Sequence, residues 1–433
     1  MRLVVFHYHL LPGGVTDVIV HSIQAVVRYR SDIESIRLVC GREENTWNVV
    51  KQLDEIGVPT ELDIIPELDY TSPAEPVGAG LARADALEKR LAAYRDDDTL
   101  WWIHNYHVGK NPAFTLALCK IAAESGSPRM VLHIHDFPEC ARYENLAYLT
   151  RVAGDSPYPA GPHVHYVVIN ERDRAALAQT QIPGERIHLL VNPLPESPAG
   201  GMERPDRGQI VDACTRFAEE SGQRFRPDAP LLVYPVRTIR RKNVLEMALL
   251  ARLADDANLI VTLPGVSDSE RPYSNLVGEA FATGAACGIW SLGRREHEYG
   301  ISFEALTHGA DAIVSSSVQE GFGLLFINAL RWRVPLFARY LSVLDGVIEV
   351  FEGYPAAFYT GLAVPFHSSS VTSARAYLRM RYTERFDALG RLLPQGARAR
   401  LDEQLEQLLA NETVDFSLLP ADLQYAYLRD ARD

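Results

Sequence analysis

The chain has 433 residues, is 47% hydrophobic and 23% charged, and carries a net charge of −13. That length exceeds one ordinary core and predicts two domains, while the composition is that of a globular rather than a disordered chain. The acidic balance weighs against nucleic acid and anionic membrane as main partners, because both need a dense Lys/Arg surface.

Short apolar runs alternate with amphipathic stretches along the first half. Strands are predicted over 3–6, 36–39, 61–65, 100–104, 130–134, 165–169 and 187–190, and helices over 15–29, 46–56, 80–94, 112–125 and 171–180. A change of composition over 195–230, rich in Pro and Gly, reads as a domain boundary. The alternation then restarts, with strands over 231–235, 259–263, 288–292, 312–314 and 335–338 and helices over 243–253, 274–285, 297–308 and 323–331. Continuous apolar strands between longer helices predict α/β domains with mostly parallel sheets covered on both faces. The tail from about residue 373 reads as helical and polar.

Five Lys, at 51, 89, 110, 120 and 242, leave 38 of the 43 basic residues as Arg, so a Lys inside a motif stands out. The five Cys are widely spaced and form no C-x-x-C pair, which suits a reducing cytosol and predicts neither disulfides nor a zinc knuckle. The N-terminus reads as a first strand and turn, not a signal peptide. No apolar run approaches the roughly 20 residues that span a bilayer. A cytoplasmic protein without integral membrane association is expected.

The most informative stretch is Ser315–Leu330, SSSVQEGFGLLFINAL. An apolar strand leads into a polar tip, an acid, a Gly-Phe-Gly turn and an apolar helix. Glycine lets backbone approach a ligand, and a helix N-terminus favours an anion. A carboxylate beside an anion site suits a nucleotide-sugar. Upstream, Arg237 and Lys242 lie at a strand end and a helix start, where two cations at the C-terminal edge of a parallel sheet suit a diphosphate.

These motifs resemble those of the retaining GT-B glycosyltransferases, most closely the family 4 group. Glu320-Gly321-Phe322-Gly323 fits that family's E-G-F-G-(x4)-E-A run, except that Asn328 stands where the second acid is usual. Arg237 and Lys242 fit its G-R-x4-K, with Val236 in place of Gly. The resemblance covers most of the chain. It implies a GT-B fold, in which two Rossmann-like domains face an inter-domain cleft. An acceptor domain is expected over 1–200 and a donor domain over 228–395, with a C-terminal helix in 400–433 rejoining the first domain. It further implies that Gly13 and Gly14 approach the donor phosphates and that Glu320 orients the donor sugar. Gly321, Phe322, Gly323, Leu324 and Asn328 line the donor site, and His135 sits by the reacting carbon.

His133, His135 and Asp136 also read as a metal set, but the resemblance implies no metal and no required cofactor. Asn105, Tyr106, His107, Lys110 and Asn111 form a polar loop after a strand, and the resemblance places the acceptor there. Lys110 at a helix N-terminus suits an acceptor carboxylate or phosphate; the plainer reading is a capped loop with a surface Lys. The implied activity is retaining transfer of glucose or mannose from a UDP- or GDP-linked donor to a small soluble, anionic acceptor. Two alternatives stand beside it: a non-catalytic GT-B scaffold, favoured by the neutral Asn328, and a nucleotide-sugar 2-epimerase. Oligomeric state is left open.

Overall fold

The computed structural model describes residues 1–431 apart from 125, 141, 155–156, 195–205, 256, 367–370 and 391. The chain divides into two compact units, Met1–Glu196 and Ser197–Asp433. In the first, seven strands form a sheet: β1 (Arg2–Phe6), β2 (Ser35–Cys40), β3 (Thr60–Ile64), β4 (Thr99–His104), β5 (Arg129–Ile134), β6 (Val164–Val168) and β7 (Ile187–Leu189). Their order is β3-β2-β1-β4-β5-β6-β7, and every pairing is parallel. Alternation along β1 sends Val4 and Phe6 into one core and Leu3 and Val5 into the other. Helices cover both faces, so a run such as Leu-Val-Val-Phe has no polar side to reserve.

The second unit repeats the plan with β8 (Leu231–Arg237), β9 (Asn258–Leu263), β10 (Gly288–Trp290), β11 (Ala312–Ser315), β12 (Leu336–Arg339) and β13 (Ala356–Tyr359). Their order is β10-β9-β8-β11-β12-β13, again parallel throughout. Tyr234 and Val236 of β8 face one core while Leu231 and Val233 face the other. A short antiparallel pair, β14 (Ala363–Pro365) and β15 (Thr413–Asp415), lies outside this sheet. The α/β class with two doubly wound parallel sheets is therefore as the sequence predicts. No helix among the described residues is long and apolar enough to cross a membrane.

Four details depart from the sequence reading. The helix foreseen over 297–308 is split into a 3-10 turn, Glu296–Tyr299, and a helix, Phe303–His308. Gly300 takes φ +70 between them, and the Ser302 hydroxyl caps the second piece by accepting from the Ala305 N–H at 3.0 Å. The short helical stretch foreseen within the 195–230 boundary is a 15-residue helix, Arg207–Ser221, that belongs to the second unit: its Ile210, Cys214 and Phe217 pack into the second core; residues 195–205 lie outside the described residues. The helix Tyr143–Ala153 was not foreseen, nor were the short strands β13 to β15.

The fourth departure is the C-terminal segment. It was expected to rejoin the first domain, but helices Ala397–Ala410 and Ala421–Asp430 belong to the second unit. Leu405, Leu409, Tyr427 and Leu428 share a buried core with Tyr234 and Val261. Arginines fasten the backbone: Arg240 donates to the carbonyls of Ser417 and Leu419, each at 2.9 Å, and Arg252 to that of Leu428 at 2.9 Å. Gln424 donates to Asn243 Oδ1 at 2.9 Å. Apolar packing and these bonds give the helices an ample partner surface within the second unit.

The same unit holds a buried charged knot. Glu246, fully buried, accepts from Arg339, from the Tyr359 hydroxyl at 2.8 Å and from Asn243 at 2.7 Å. Arg339 also reaches Asp415 at 2.8 Å, tying β12 to β15. Burial pushes the Glu246 carboxyl up, and Arg339 pulls it back part of the way. Removing one partner from a buried pair leaves an uncompensated charge, so Arg339→Met should cost about 3 kcal/mol in urea unfolding at pH 7. A carboxyl whose folded value lies above its unfolded value is destabilising at high pH. The deficit of the variant should therefore narrow as pH falls and Glu246 takes a proton. A deficit independent of pH would count against this assignment.

Candidate functional site

In the first unit the strand order reverses between β1 and β4, and ligands of open α/β sheets bind outside the strand ends at such a point. A pocket of about 200 Å³ lies there. The segment after β1 supplies His7, His9 and the Gly13–Gly14 turn; that after β4 supplies Asn105 and Lys110; Tyr70 and Arg142 complete the wall. The two glycines contribute backbone without side chains. Asn105 holds φ +52, a left-handed conformation that Asn tolerates better than most residues. It is fixed there because its Oδ1 accepts from the His135 N–H at 2.8 Å and its carbonyl accepts from the Tyr8 hydroxyl at 2.8 Å.

Two cations face this pocket. The Lys110 ammonium lies over the Tyr70 ring, 5.4 Å from its centroid. Burial pushes that ammonium below its usual value, and the Arg142 guanidinium pushes it the same way. Arg142 itself donates to Asp136 at 2.8 Å. An anion entering the pocket would relieve the mutual repulsion of these cations. The volume suits a glycerate- or phosphate-sized group, being under the roughly 300 Å³ at which sites for drug-sized ligands begin.

The rest of that loop serves the fold. Asn111 caps the helix Pro112–Ala123, accepting from the Phe114 N–H at 3.2 Å, and donates to the carbonyls of Glu67 and Asp69. Tyr106 is buried and donates to the Pro157 carbonyl at 3.0 Å, while His107 is buried beside Phe137 and Tyr158. Of the five loop residues read as acceptor-binding, the structure places Asn105 and Lys110 in the pocket and Tyr106, His107 and Asn111 behind it.

His135 was expected beside the reacting carbon, but its ring turns inward. It is 6% exposed, and its Nε2 lies 2.9 Å from His104 Nδ1. The imidazoles that line the pocket are those of His7 and His9. His7 Nδ1 sits 3.1 Å from the His104 carbonyl, which can only accept, so Nδ1 carries the proton and Nε2 keeps its lone pair. Burial lowers His7 to about 4, so the ring stays neutral at physiological pH.

In the second unit, Arg237 ends β8 and Lys242 ends the turn that follows it. The three basic residues 240–242 are not a loose solvated cluster. Arg240 holds the C-terminal segment, whereas Arg241 and Lys242 both reach Glu320, Arg241 at 3.0 Å. Burial pushes the Glu320 carboxyl up, but Lys242 and Arg241 outweigh it and hold the carboxyl below its ordinary value. Arg237 is half exposed, with Glu270 at 3.4 Å. Ser316 and Tyr234 brace the two loops, donating to the carbonyls of Asn243 at 2.9 Å and Lys242 at 2.7 Å.

Gly323 precedes the helix Leu324–Trp332 at φ +83, and a Cβ there would lie 2.7 Å from the Phe326 ring, so no other residue fits without strain. Phe322 is buried; Gly321 and Leu324 are partly exposed at the turn. Asn328 is partly buried and accepts from Arg331 at 3.2 Å. The structure thus gathers Arg237, Lys242, Glu320–Leu324 and Asn328 in the second unit, and Gly13, Gly14, Asn105 and Lys110 in the first. Tyr70, Arg142, Glu270 and His104 escaped the sequence reading. Only His104 left a signal, as a strand-end His that meets His133 once β4 and β5 are aligned.

No family model matches the chain. Over 427 residues it is 29% identical to the mannosylglucosyl-3-phosphoglycerate synthase of Petrotoga mobilis, a match covering 98% of this chain and 80% of that protein. Among solved structures it is similar to the catalytic domain of starch synthase IV from Arabidopsis thaliana bound to ADP and acarbose. That likeness has a TM-score of 0.49 at 10% identity and covers 80% of this chain and 84% of the other. It is also similar to sucrose-phosphate synthase from Thermosynechococcus elongatus, with a TM-score of 0.47 at 12% identity, covering 100% and 98% of the two chains. Scores under 0.5 at such identities do not bear on activity.

A carboxyl held below its unfolded value adds stability above the ordinary Glu range and loses it as pH falls through the folded value. Glu320→Gln should therefore melt below the parent at pH 7, and the gap should close as pH is taken below the ordinary Glu range. A melting-temperature series on both proteins checks this; a gap that persists in acid would place the loss elsewhere.

Proposed function

We propose that this chain is a GT-B glycosyltransferase that transfers a hexosyl group, with retention, from a nucleotide-diphosphate sugar to a small acceptor carrying a phosphoglycerate-type anion. The observation that carries the reading is the pocket in which Lys110 and Arg142 stand beside the Gly13–Gly14 turn. The relative from Petrotoga mobilis supports it, because its name is that of a synthase of a sugar-substituted 3-phosphoglycerate.

In the proposed reaction the bond between the sugar's anomeric carbon and the leaving diphosphate breaks. The acceptor hydroxyl forms a new bond to that carbon on the same face, and its proton passes to the leaving phosphate oxygen. Arg237, Lys242 and the Gly323–Leu324 amides stabilise the charge that grows on the diphosphate. Glu320 orients the donor sugar, and Asn328 meets the ribose as a neutral hydrogen-bonding group. His7 Nε2 accepts from an acceptor hydroxyl, while Lys110 and Arg142 hold its anion. No metal or other cofactor enters these steps.

Lys242 already pairs with Glu320, so a diphosphate must share that ammonium, whereas Arg237 is half exposed. Arg237 therefore makes the first phosphate contact.

Two measurements test the reading. Thermal shift against UDP, GDP, ADP, UDP-glucose and GDP-mannose should give a rise with one base only, by mass action. No rise with any would favour a scaffold with a lost donor site, and interconversion of a lone nucleotide-sugar would favour the epimerase. With the matching donor, Lys110→Ala should raise the acceptor KM about tenfold or more, roughly the loss of one charge-assisted contact, and leave the donor KM unchanged. An unchanged acceptor KM would remove Lys110 from the site.

A further inference from the structure

The first sheet contains a histidine cluster that the transfer chemistry does not use. His104 ends β4 and His133 stands opposite it near the end of β5, paired in register; His135 follows two residues on. All three side chains are buried. One ring nitrogen from each lies within 4.8 Å of the others. His104 Nδ1 and His135 Nε2 are 2.9 Å apart, close to the spacing of two ligands on one ion with bonds of about 2.0–2.1 Å. The Trp102 ring stacks on His133 at 5.9 Å and an interplanar angle of 4°, closing the cluster on one side.

The unsatisfied atoms argue hardest. A neutral imidazole carries one donor and one acceptor, and buried polar atoms are nearly always paired. His133 Nδ1, His133 Nε2 and His104 Nε2 are buried without a hydrogen-bond partner among the described residues. With His104 Nδ1 and His135 Nε2 as two ligands, an ion would take one nitrogen of His133, the ring on which neither nitrogen has a partner among the described residues. Asp136, the third ligand suggested by the sequence, is not part of this set, since its carboxylate is engaged by Arg142. His104 takes that place.

We propose that His104, His133 and His135 bind one divalent transition ion of the imidazole-preferring class, Zn²⁺, Co²⁺ or Ni²⁺, adjoining the pocket of the first unit. Three neutral imidazoles without a carboxylate select against Mg²⁺ and Ca²⁺, which take oxygen ligands. The remaining coordination falls to water or to an anion. Loading requires the His133 ring to rotate, because it now stacks on His135 with centroids 4.2 Å apart. The ion would also stiffen the pocket through two existing bonds, from His7 to the His104 carbonyl and from the His135 N–H to Asn105.

The test uses tag-free full-length protein, stripped with chelator and titrated with Zn²⁺ and with Co²⁺. One equivalent should bind, with a rise in melting temperature and, for Co²⁺, visible absorption of a low-symmetry site. X-ray absorption should count three imidazole ligands. His133→Phe, which keeps a ring against Trp102, should abolish binding. His188→Ala should leave it intact; that residue breaks the exposed His165–His188 pair, whose nitrogens are 3.0 Å apart and which is the obvious surface competitor. Loss of binding in His188→Ala, retention in His133→Phe, or no binding by the parent chain would overturn the proposal. If His133→Phe fails to fold, the ligand count on the parent chain decides. These readouts need no substrate, so they stand or fall independently of the transferase reading.

Discussion

Parallel pairing constrains everything else in this molecule. A strand that must run beside its predecessor in the same direction cannot turn back on itself; it needs a crossover, and the crossover here is a helix. Each strand therefore releases its chain at the same sheet edge, and the residues that follow β1, β4 and β5 collect there. His7, Asn105, Lys110 and Arg142 meet for that reason, although they are far apart in sequence. In the second sheet the same geometry brings the turn after β8 against the turn after β11, so that Lys242 and Arg241 find Glu320.

The two units use charge differently at these edges. In the second, opposite charges satisfy each other: Glu320 sits between Lys242 and Arg241, and Ser316 and Tyr234 pin the backbone on which they stand. Such an arrangement is pre-set: the charged groups are held in place before any ligand arrives. In the first, two cations share a small pocket. Burial and mutual repulsion depress Lys110, and that tension is what an anionic ligand would release.

Most of the architecture was legible because it follows from local pattern. Runs such as Leu3–Phe6 and Ile313–Val314 are apolar on both faces, which only a covered parallel strand needs, and the Gly-Phe-Gly turn demands the backbone freedom that Gly323 uses. What escaped depends on contacts between distant segments. Val364 pairs with Val414 in strands of three residues each, too short to register as a pattern. Gly300 breaks a helix whose apolar spacing otherwise continues. Tyr70 and Arg142 enter the pocket from loops with no signature of their own. His104 looks like an ordinary strand-end residue until the register sets it against His133, and His135, given a role by resemblance, turns its ring inward while His7 and His9 line the pocket.

The packing of the C-terminal helices has a consequence for the order in which the molecule is made. The first unit draws its sheet and both its cores from residues that leave the ribosome before the second unit begins, so it can fold while synthesis continues. The second cannot. The core that helices Val244–Leu253 and Arg271–Ala282 share with its sheet stays incomplete until Leu405, Leu409 and Leu428 arrive, and Arg240, Arg252 and Arg339 wait for carbonyls and a carboxylate in the last stretch of chain. During that interval the apolar residues of those two helices that the last helices cover face water, which is the surface that chaperones hold and that aggregation uses.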